Sequence, residues 1–303
     1  MADQTPPRMK LGVIFGLDDE TGPKRFTEIR TLAEAAERIG LDSLWLADHF
    51  YYRGPDGAEQ GQWEVFTFLS ALAAVTSRIQ LGPLVACTSF RNPALLAKMA
   101  DSLDELSGGR FILGLGAGWH EPEYTMFGYP FDHRAARFEE ALQVIVPLLR
   151  DGHVDFHGQY YTADHTVLRP RGPSPSGPPI WIGARLPRML GLVARYADAW
   201  NTAWYVDPAR VTVAYEQFTQ ACAAVGRDPA AIELTAGALV RMLAPGEAPD
   251  PEERAIKGTP EEVAAALRGF AAVGVRHLVL VLTRESPADV ERLGRVVELL
   301  GQS

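Results

Sequence analysis

The chain repeats a short apolar strand followed by an amphipathic helix eight times, and this repeat is its most constraining feature. Parallel strands need a crossover of about a dozen residues to become neighbours, and a helix provides it. Eight such units in 303 residues predict an α/β fold of the (β/α)8 TIM-barrel type, with a doubly wound open sheet as the alternative. The predicted strands are Met9–Leu17, Asp42–Ala47, Ile79–Ala86, Phe111–Leu113, Ile180–Ile182, Asp198–Thr202, Ile232–Met242 and His277–Leu282.

One insert interrupts the repeat after the fourth unit. The segment His153–Thr162 alternates polar and apolar residues around His157-Gly158, which predicts a small hairpin. A link rich in proline and glycine, Arg169–Pro179, follows it. No change in composition marks a domain boundary, so we expect one barrel domain over residues 1–303 with an insert at about 151–179.

The composition excludes several classes of function. A net charge of −9 disfavours nucleic-acid binding, which needs a cationic surface. No apolar run approaches the length of a membrane span, and the first ten residues, MADQTPPRMK, lack the apolar region of a secretory signal. The two cysteines, Cys87 and Cys222, do not form a disulfide framework. We therefore expect a cytoplasmic protein with a small-molecule substrate and no membrane partner.

The segment 109–128, GRFILGLGAGWHEPEYTMFG, joins a predicted buried strand to a glycine-rich exit. Gly114, Gly116 and Gly118 leave the backbone free of side chains, so a ligand could approach it closely. The alternative interpretation is a tight strand exit without a ligand. Because ligands of parallel α/β folds bind at the carboxyl ends of strands, we expect this exit to line a binding site.

Two motifs in the same segment resemble known signatures but do not match them. The glycines are spaced G-x-G-x-G and are followed by Trp119, unlike a dinucleotide fingerprint, and Pro122 is expected to obstruct a helix there. His120-Glu121 does not begin a zinc motif, because Tyr124 occupies the place of the second histidine. No other strand end shows a metal constellation or a nucleophile elbow, so no metal is expected.

Three groups at the predicted strand ends are candidates for chemistry. His49 suits proton transfer near neutral pH, although a structural histidine bonded to Asp48 would have the same sequence. The segment Gly183–Arg185 precedes a predicted helix and could hold a phosphate, or could be an ordinary turn. Cys87 is interpreted as a small wall residue. Glu121 and Glu123 could form an acid–base pair, or could be solvated loop residues.

The sequence resembles the luciferase-like flavin monooxygenase superfamily, and most closely its branch that uses the deazaflavin coenzyme F-420. The resemblance extends over about residues 9 to 300. The segments that carry it are LDSLWLADHF at 41–50, RIQLGPLVACTSFRNPALLAKMADSLDELSGGRFILGLGAGW at 78–119, EYTMFGYPF at 123–131, DFHGQYY at 155–161, PIWIGA at 179–184 and YADAWN at 196–201.

The resemblance implies a barrel whose C-terminal mouth holds the cofactor. It places Asp48 and His49 beside the ring, with His49 as the catalytic residue. It also implies a non-proline cis peptide within Leu84–Cys87, behind the ring. The remaining cofactor-binding residues that it implies are Val85, Ala86 and Cys87 behind the ring, Gly116, Ala117, Gly118 and Trp119 along the ribityl side, and Gly183, Ala184 and Arg185 at the phosphate.

By this resemblance the chain is an oxidoreductase that transfers a hydride between coenzyme F-420 and a small substrate. Trp119 stands where the sugar-phosphate dehydrogenases of the branch carry a glutamate acid. We therefore expect an apolar or aromatic substrate packed against Trp119, Tyr51 and Tyr52. The alternatives are a monooxygenase that uses reduced FMN and oxygen, and a non-catalytic flavin-fold binding protein. Members of the superfamily often pair through barrel helices, so a homodimer is expected.

Overall fold

Parallel strands surround the centre of the molecule in the computed structural model, which describes residues 8–19, 22–53, 57 and 59–301. Residues 1–7, which make up most of the N-terminal segment MADQTPPRMK that was expected to lack a secretory signal, lie outside these ranges. Residues 54–56 and 58, in the loop after the second predicted strand, also lie outside them. The barrel strands of the described residues are β1 (Lys10–Phe15), β2 (Ser43–Leu46), β3 (Gln80–Pro83), β4 (Ala86–Cys87), β5 (Leu113–Gly116), β6 (Ile180–Gly183), β7 (Ala199–Tyr205), β8 (Glu233–Met242) and β9 (His277–Leu282).

The hydrogen-bonded order of the barrel strands is β3-β2-β1-β9-β8-β7-β6-β5-β4. The two ends of this order, β3 and β4, are the two parts of the single strand predicted at 79–86. A parallel bridge between Leu81 and Phe111 connects β3 to the chain entering β5, and β4 pairs with β5 directly. The sheet therefore closes into a barrel, which confirms the predicted fold and excludes the open doubly wound sheet.

Helices cover the outside of the barrel. Their ends follow local capping chemistry: Asn92 accepts hydrogen bonds from the first turn of one helix, and Gly108 ends that helix with φ of +65°. Thr259 and Glu262 form a capping box at another helix. The helices of the described residues are α1 (Phe26–Arg38), α2 (Val65–Val75), α3 (Pro93–Ser107), α4 (Glu121–Phe127), α5 (Arg134–Asp151), α6 (Pro187–Tyr196), α7 (Ala209–Val225), α8 (Pro260–Ala272) and α9 (Pro287–Gly301).

The structure differs from the sequence-based expectation in several elements, and the strand predicted at Phe111–Leu113 lies at Leu113–Gly116 as β5. Pro122 lies in the first turn of α4 and does not obstruct it, because the first-turn N–H that proline lacks has no partner within a helix. The sixth predicted strand is longer than expected and reaches Tyr205. The third predicted strand is divided into β3 and β4 at the Leu84–Val85 peptide bond, which is cis. This bond lies in the segment Leu84–Cys87, where the resemblance implies a cis peptide. The predicted hairpin is present, with strands His153–His157 and Thr162–Val167.

Two apolar layers hold the barrel together. The larger lies between strands and helices and includes Phe15, Phe138 and Phe270. The smaller fills the inside of the barrel, where Trp45 and Trp181 pack with ring centroids 4.5 Å apart. Both tryptophans are buried. None of the helices in the described ranges combines the length and apolarity needed to cross a membrane.

A polar cluster lies inside the N-terminal end of the barrel. The ring of His277 is 1% exposed and its Nε2 lies 2.7 Å from Ser43 Oγ. The same oxygen accepts a hydrogen bond from Trp45 Nε1 at 2.7 Å. Burial, together with the positive charges of Lys10 and Arg8, lowers the pKa of His277 to about 3. His277 is therefore neutral in the folded protein at physiological pH.

This buried histidine predicts a loss of stability in acid. The pKa of His277 in the unfolded chain is about 6.5, so its contribution is complete above that pH and is lost as the pH falls towards 3. The free energy of unfolding should fall by up to about 1.4 kcal/mol per pH unit across this window. Chemical denaturation at several pH values measures the slope. His277→Gln should flatten it, and an identical slope in both proteins would contradict this assignment.

Candidate active site

A cavity of about 740 Å³ opens at the C-terminal ends of the barrel strands. We call it the active-site cavity. Its volume is within the range of small-molecule and cofactor sites. Of the twelve catalytic and cofactor-binding residues that the resemblance implies, eleven line it. The lining residues are Ile14, Ala47, Asp48, His49, Tyr52, Leu84, Val85, Cys87, Phe90, Gly116, Ala117, Gly118, Trp119, Glu123, Arg134, Ala135, Gly183, Ala184, Arg185, Leu186, Met189, Asn201, Ala203 and Trp204.

Two residues expected at the site lie behind its wall. Ala86 is fully buried in the core between strands and helices, because its side chain leaves β4 on the face opposite to the cavity. Tyr51 is 7% exposed and does not line the cavity, whereas the next residue, Tyr52, does. Both cases arise from strand alternation, because successive side chains point to opposite faces.

His49 is held by the buried carboxylate of Glu123, which is neither solvated nor paired with Glu121 as the two sequence-based interpretations proposed. Its Nδ1 lies 2.8 Å from Glu123 Oε2, and the Glu123 side chain is 1% exposed. The other oxygen of Glu123 accepts the backbone N–H groups of Phe50 and Tyr51. Because a carboxylate only accepts, the His49 Nδ1 carries the hydrogen. This leaves Nε2, which has no hydrogen-bond partner among the described residues, for a ligand in the cavity.

Aromatic rings enclose His49 on the open side of the cavity. The Tyr52 ring packs on the imidazole with centroids 4.3 Å apart, and Trp119 approaches it edge-on at 5.7 Å. Burial raises the pKa of the Tyr52 hydroxyl above its ordinary value, and the nearby Glu123 carboxylate adds to the effect. Tyr52 is therefore a neutral donor at physiological pH. Trp119 is 64% exposed, so a ligand could cover a large apolar surface there.

Asp48 lines the cavity, but its carboxylate is hydrogen-bonded to other groups of the protein. Its carboxylate accepts two hydrogen bonds from the Arg91 guanidinium, at 2.6 and 3.0 Å, and a third from the Cys87 N–H at 2.9 Å. Burial raises the pKa of the Asp48 carboxyl, and Arg91 opposes that rise. Arg91 also donates to Glu64 at 2.6 Å. Asp48 therefore connects the end of β2 to β4, beside His49.

The glycines of β5 and β6 make room for a neighbouring side chain as well as for a ligand. A Cβ at Gly116 would lie 2.5 Å from a methyl group of Val85, and a Cβ at Gly183 would lie 3.2 Å from the other methyl. Val85 follows the cis peptide bond and fills the space between the two strands. The sequence-based expectation that a ligand approaches the backbone at Gly114 is wrong, because the space beside Gly114 is occupied by the Pro83 carbonyl oxygen. Gly116 and Gly183 still line the cavity.

Gly118 has φ of +73°, and a side chain there would overlap the hydroxyl of Tyr124. That hydroxyl donates to the carbonyl oxygen of Ala117 at 2.8 Å and lies 3.1 Å from the sulfur of Cys87. Burial raises the pKa of the Cys87 thiol to about 11, so it is protonated at physiological pH. A protonated thiol is a poor nucleophile, which agrees with the interpretation of Cys87 as a wall residue.

The rim opposite His49 is cationic. Gly183, Ala184 and Arg185 lie just before α6, whose N-terminal end faces the cavity rim. Arg185 is exposed and makes no ion pair with any residue in the described ranges. Free N–H groups at a helix start and an unpaired guanidinium are favourable for an anion. The segment is therefore suited to a phosphate, and its role as the phosphate site stays a prediction.

A set of potential metal ligands lies away from the cavity, on the hairpin. Asp155, Asp164 and His165 each offer one ligand atom, and these atoms lie within 4.8 Å of one another. Sequence reasoning missed this set because a bulge in the hairpin brings the three residues together. All three are exposed. Exposed carboxylates gather in this way without a metal, so the cluster by itself assigns no function.

Several other residues of the site were also missed. Arg91 was not singled out from the sequence, and Glu123 was considered only as an acid–base partner of Glu121 or as a solvated loop residue, whereas its partner is His49. Asn201 donates to Thr235 Oγ1 at 3.0 Å and lines the cavity. Trp204 extends the wall because β7 runs beyond its predicted end. Asn201 lies near the end of the predicted sixth strand and Trp204 just after it, and this placement was the sequence signal for these two residues.

Comparison with known proteins identifies relatives of this chain. The profile of a family described as luciferase-like monooxygenase matches residues 9–248. The phthiodiolone/phenolphthiodiolone dimycocerosates ketoreductase of Mycobacterium tuberculosis is 33% identical over 267 residues, which cover 81% of this chain and 69% of that protein.

Solved structures share the fold at lower identity. An F-420-dependent secondary alcohol dehydrogenase, in complex with an F-420–acetone adduct, superposes with a TM-score of 0.83 and 20% identity. The alignment covers 97% of this chain and 99% of that one. A riboflavin lyase with modified FMN and riboflavin gives a TM-score of 0.82 and 17% identity, covering 98% and 92%. These likenesses confirm the barrel architecture.

Proposed function

The chain belongs to the luciferase-like monooxygenase family, and from this premise we propose that it is an oxidoreductase that transfers a hydride between coenzyme F-420 and a small, mainly apolar carbonyl or alcohol substrate. The observation that carries the proposal is the His49–Glu123 pair, which leaves one imidazole nitrogen for a ligand in the active-site cavity. The names of two similar proteins, a ketoreductase and a secondary alcohol dehydrogenase, support a substrate of this class.

The residues of the cavity fit such a cofactor. Ile14, Leu84 and Val85 form an apolar floor on which a flat ring can lie. His49 stands on one side of this floor, and the unpaired Arg185 stands at the rim beside the start of α6. Coenzyme F-420 has its ring system at one end and a phosphate farther along, and this order would match the separation of apolar and cationic groups in the cavity.

The protein contributes proton transfer and positioning. When bound, the coenzyme supplies or accepts the hydride. Reduction of a carbonyl adds a hydride at carbon and a proton at oxygen, and His49 Nε2 is placed to give that proton; in the reverse direction it takes the proton from the alcohol. Glu123 holds the imidazole and stabilises its protonated form. Trp119 and Tyr52 offer an apolar surface to the substrate and exclude water from it.

Titration of the purified protein with coenzyme F-420 and, separately, with FMN tests the proposal. Cofactor fluorescence reports binding, and we expect tighter binding of F-420, followed by turnover with ketones or secondary alcohols. Preferential FMN binding with oxygen uptake would favour the alternative, a monooxygenase; the riboflavin lyase of the same fold was solved with modified FMN. Binding without turnover in any redox assay would identify a non-catalytic flavin-fold protein.

Arg185→Ala should weaken cofactor binding by about 1.5–3 kcal/mol if the guanidinium pairs with the phosphate. The reason is that a charge-assisted hydrogen bond at a helix start is lost. Arg188→Ala is the control, because Arg188 lies one turn away and pairs with Glu139 at 3.5 Å. Equal affinities of the Arg185 variant and the wild type would show that Arg185 is only solvated.

A further inference from the structure

A second cavity, of about 470 Å³, adjoins the active-site cavity. Arg185 and Trp204 line both cavities and so form the boundary between them. The second cavity is lined by residues of the N-terminal halves of α6 and α7, and by Arg254 from the loop after β8. A ligand whose phosphate lies at Arg185 could therefore continue into it.

Three arginines surround this second cavity, which we call the arginine cavity: Arg185, Arg210 and Arg254. All three are exposed, and none forms an ion pair with a described residue. Arg254 donates a long hydrogen bond, 3.4 Å, to the Trp204 carbonyl oxygen. No carboxylate occurs among the described residues that line the cavity. In a chain of net charge −9, three unpaired cations around one cavity mark a site for an anion.

The rest of the wall is suited to a flexible chain. Arg210, Val213, Ala214 and Gln217 lie on one face of α7, at the spacing of successive helical turns. Arg210 is in the first turn, where the helix dipole also favours negative charge. Val213 and Ala214 offer an apolar surface between cationic groups. The arrangement suits a ligand with several carboxylates separated by methylene groups, more than a single compact anion.

We propose that the arginine cavity binds the oligoglutamyl tail of coenzyme F-420, an inference that rests on the proposed function. FMN ends at its phosphate, whereas F-420 continues from the phosphate through a lactyl group into a chain of glutamates. The position of the arginine cavity beyond Arg185 matches this continuation. The tail contacts would let the protein distinguish F-420 from FMN by groups that are distant from the reacting ring.

The test compares two forms of the coenzyme, one with a long glutamyl tail and one that ends at the phospholactate. Fluorescence titration at low salt should show about threefold to tenfold tighter binding of the tailed form by the wild type, the scale of a few exposed ion pairs. This preference should shrink at high ionic strength, because salt screens exposed charges. Arg210→Ala/Arg254→Ala should abolish the preference and leave the affinity for the tail-free form unchanged.

Two further variants serve as controls. Arg210→Lys/Arg254→Lys keeps the charge and should keep most of the preference. Arg276→Ala removes an exposed arginine from the N-terminal face of the barrel and should change neither affinity. Equal binding of both coenzyme forms by the wild type, or an unchanged preference in the double alanine variant, would overturn the tail site alone. Binding of neither form would overturn the proposed function and the tail site together.

Discussion

Replacement of His49 by alanine is expected to lower the turnover number about a hundredfold or more, the usual scale for a lost proton-transfer group. The structure supplies the reason: His49 lines the cavity, and its Nδ1 is fixed by Glu123 at 2.8 Å. Steady-state kinetics with F-420 and a series of ketones measures the effect. Cofactor affinity should change little, because the ring floor and the phosphate end are unaltered.

His120→Ala is the matched control for this experiment. The rings of His120 and His49 lie 6.5 Å apart, but His120 does not line the cavity. Its replacement should retain most of the turnover. If the two alanine variants lose turnover equally, or if neither loses it, His49 is not the proton-transfer group.

Glu123→Gln separates the positioning role of the carboxylate from its charge. Glutamine can still accept from the backbone N–H groups of Phe50 and Tyr51, but it no longer opposes a positive charge on His49. Loss of the negative charge leaves the imidazole without its counter-charge during proton transfer, so the turnover number should fall while the KM for coenzyme F-420 changes little. A purely structural Glu123 would change the amount of folded protein and leave the turnover number per folded molecule unchanged.

Replacement of Arg91 by methionine is expected to lower the free energy of unfolding by about 3–5 kcal/mol, as for a buried ion pair deprived of one partner. The Arg91 side chain is 7% exposed and that of Asp48 is fully buried. Without the guanidinium, Asp48 would be left as an uncompensated charge. Denaturant titration measures the change. The Arg91 guanidinium also lies 4.7 Å from the centroid of the Phe66 ring, so methionine preserves part of the apolar contact.

Two variants define the size of this effect. Asp48→Asn/Arg91→Met should be less destabilised than Arg91→Met alone, because the stranded charge is removed with its partner. Arg195→Met breaks an exposed pair with Glu139 and should cost less than about 1 kcal/mol. If Arg91→Met and Arg195→Met are equally stable, Asp48 and Arg91 are not coupled in the way the geometry indicates.

The glycines at the end of β5 show what a local sequence pattern predicts correctly and what it does not. The spacing of Gly116 and Gly118 indicated a backbone free of side chains at a strand end, and both residues line the cavity. The spacing could not show that Val85 fills the gap next to Gly116, since that contact depends on the break between β3 and β4. Pro122 was misjudged for a related reason: its effect depends on which helical turn it occupies.

The sequence by itself determined an α/β fold of alternating strands and helices, the order of its elements and the strand ends that form the site. These follow from local periodicity, because the buried face of each strand or helix requires apolar residues at regular spacing along the chain. Only the tertiary structure decided the partners of the site residues. His49 and Glu123 are 74 positions apart, and Asp48 and Arg91 are 43 apart. Such pairs leave no local pattern, because their geometry depends on closure of the barrel, which likewise brings Arg210 and Arg254 to one cavity.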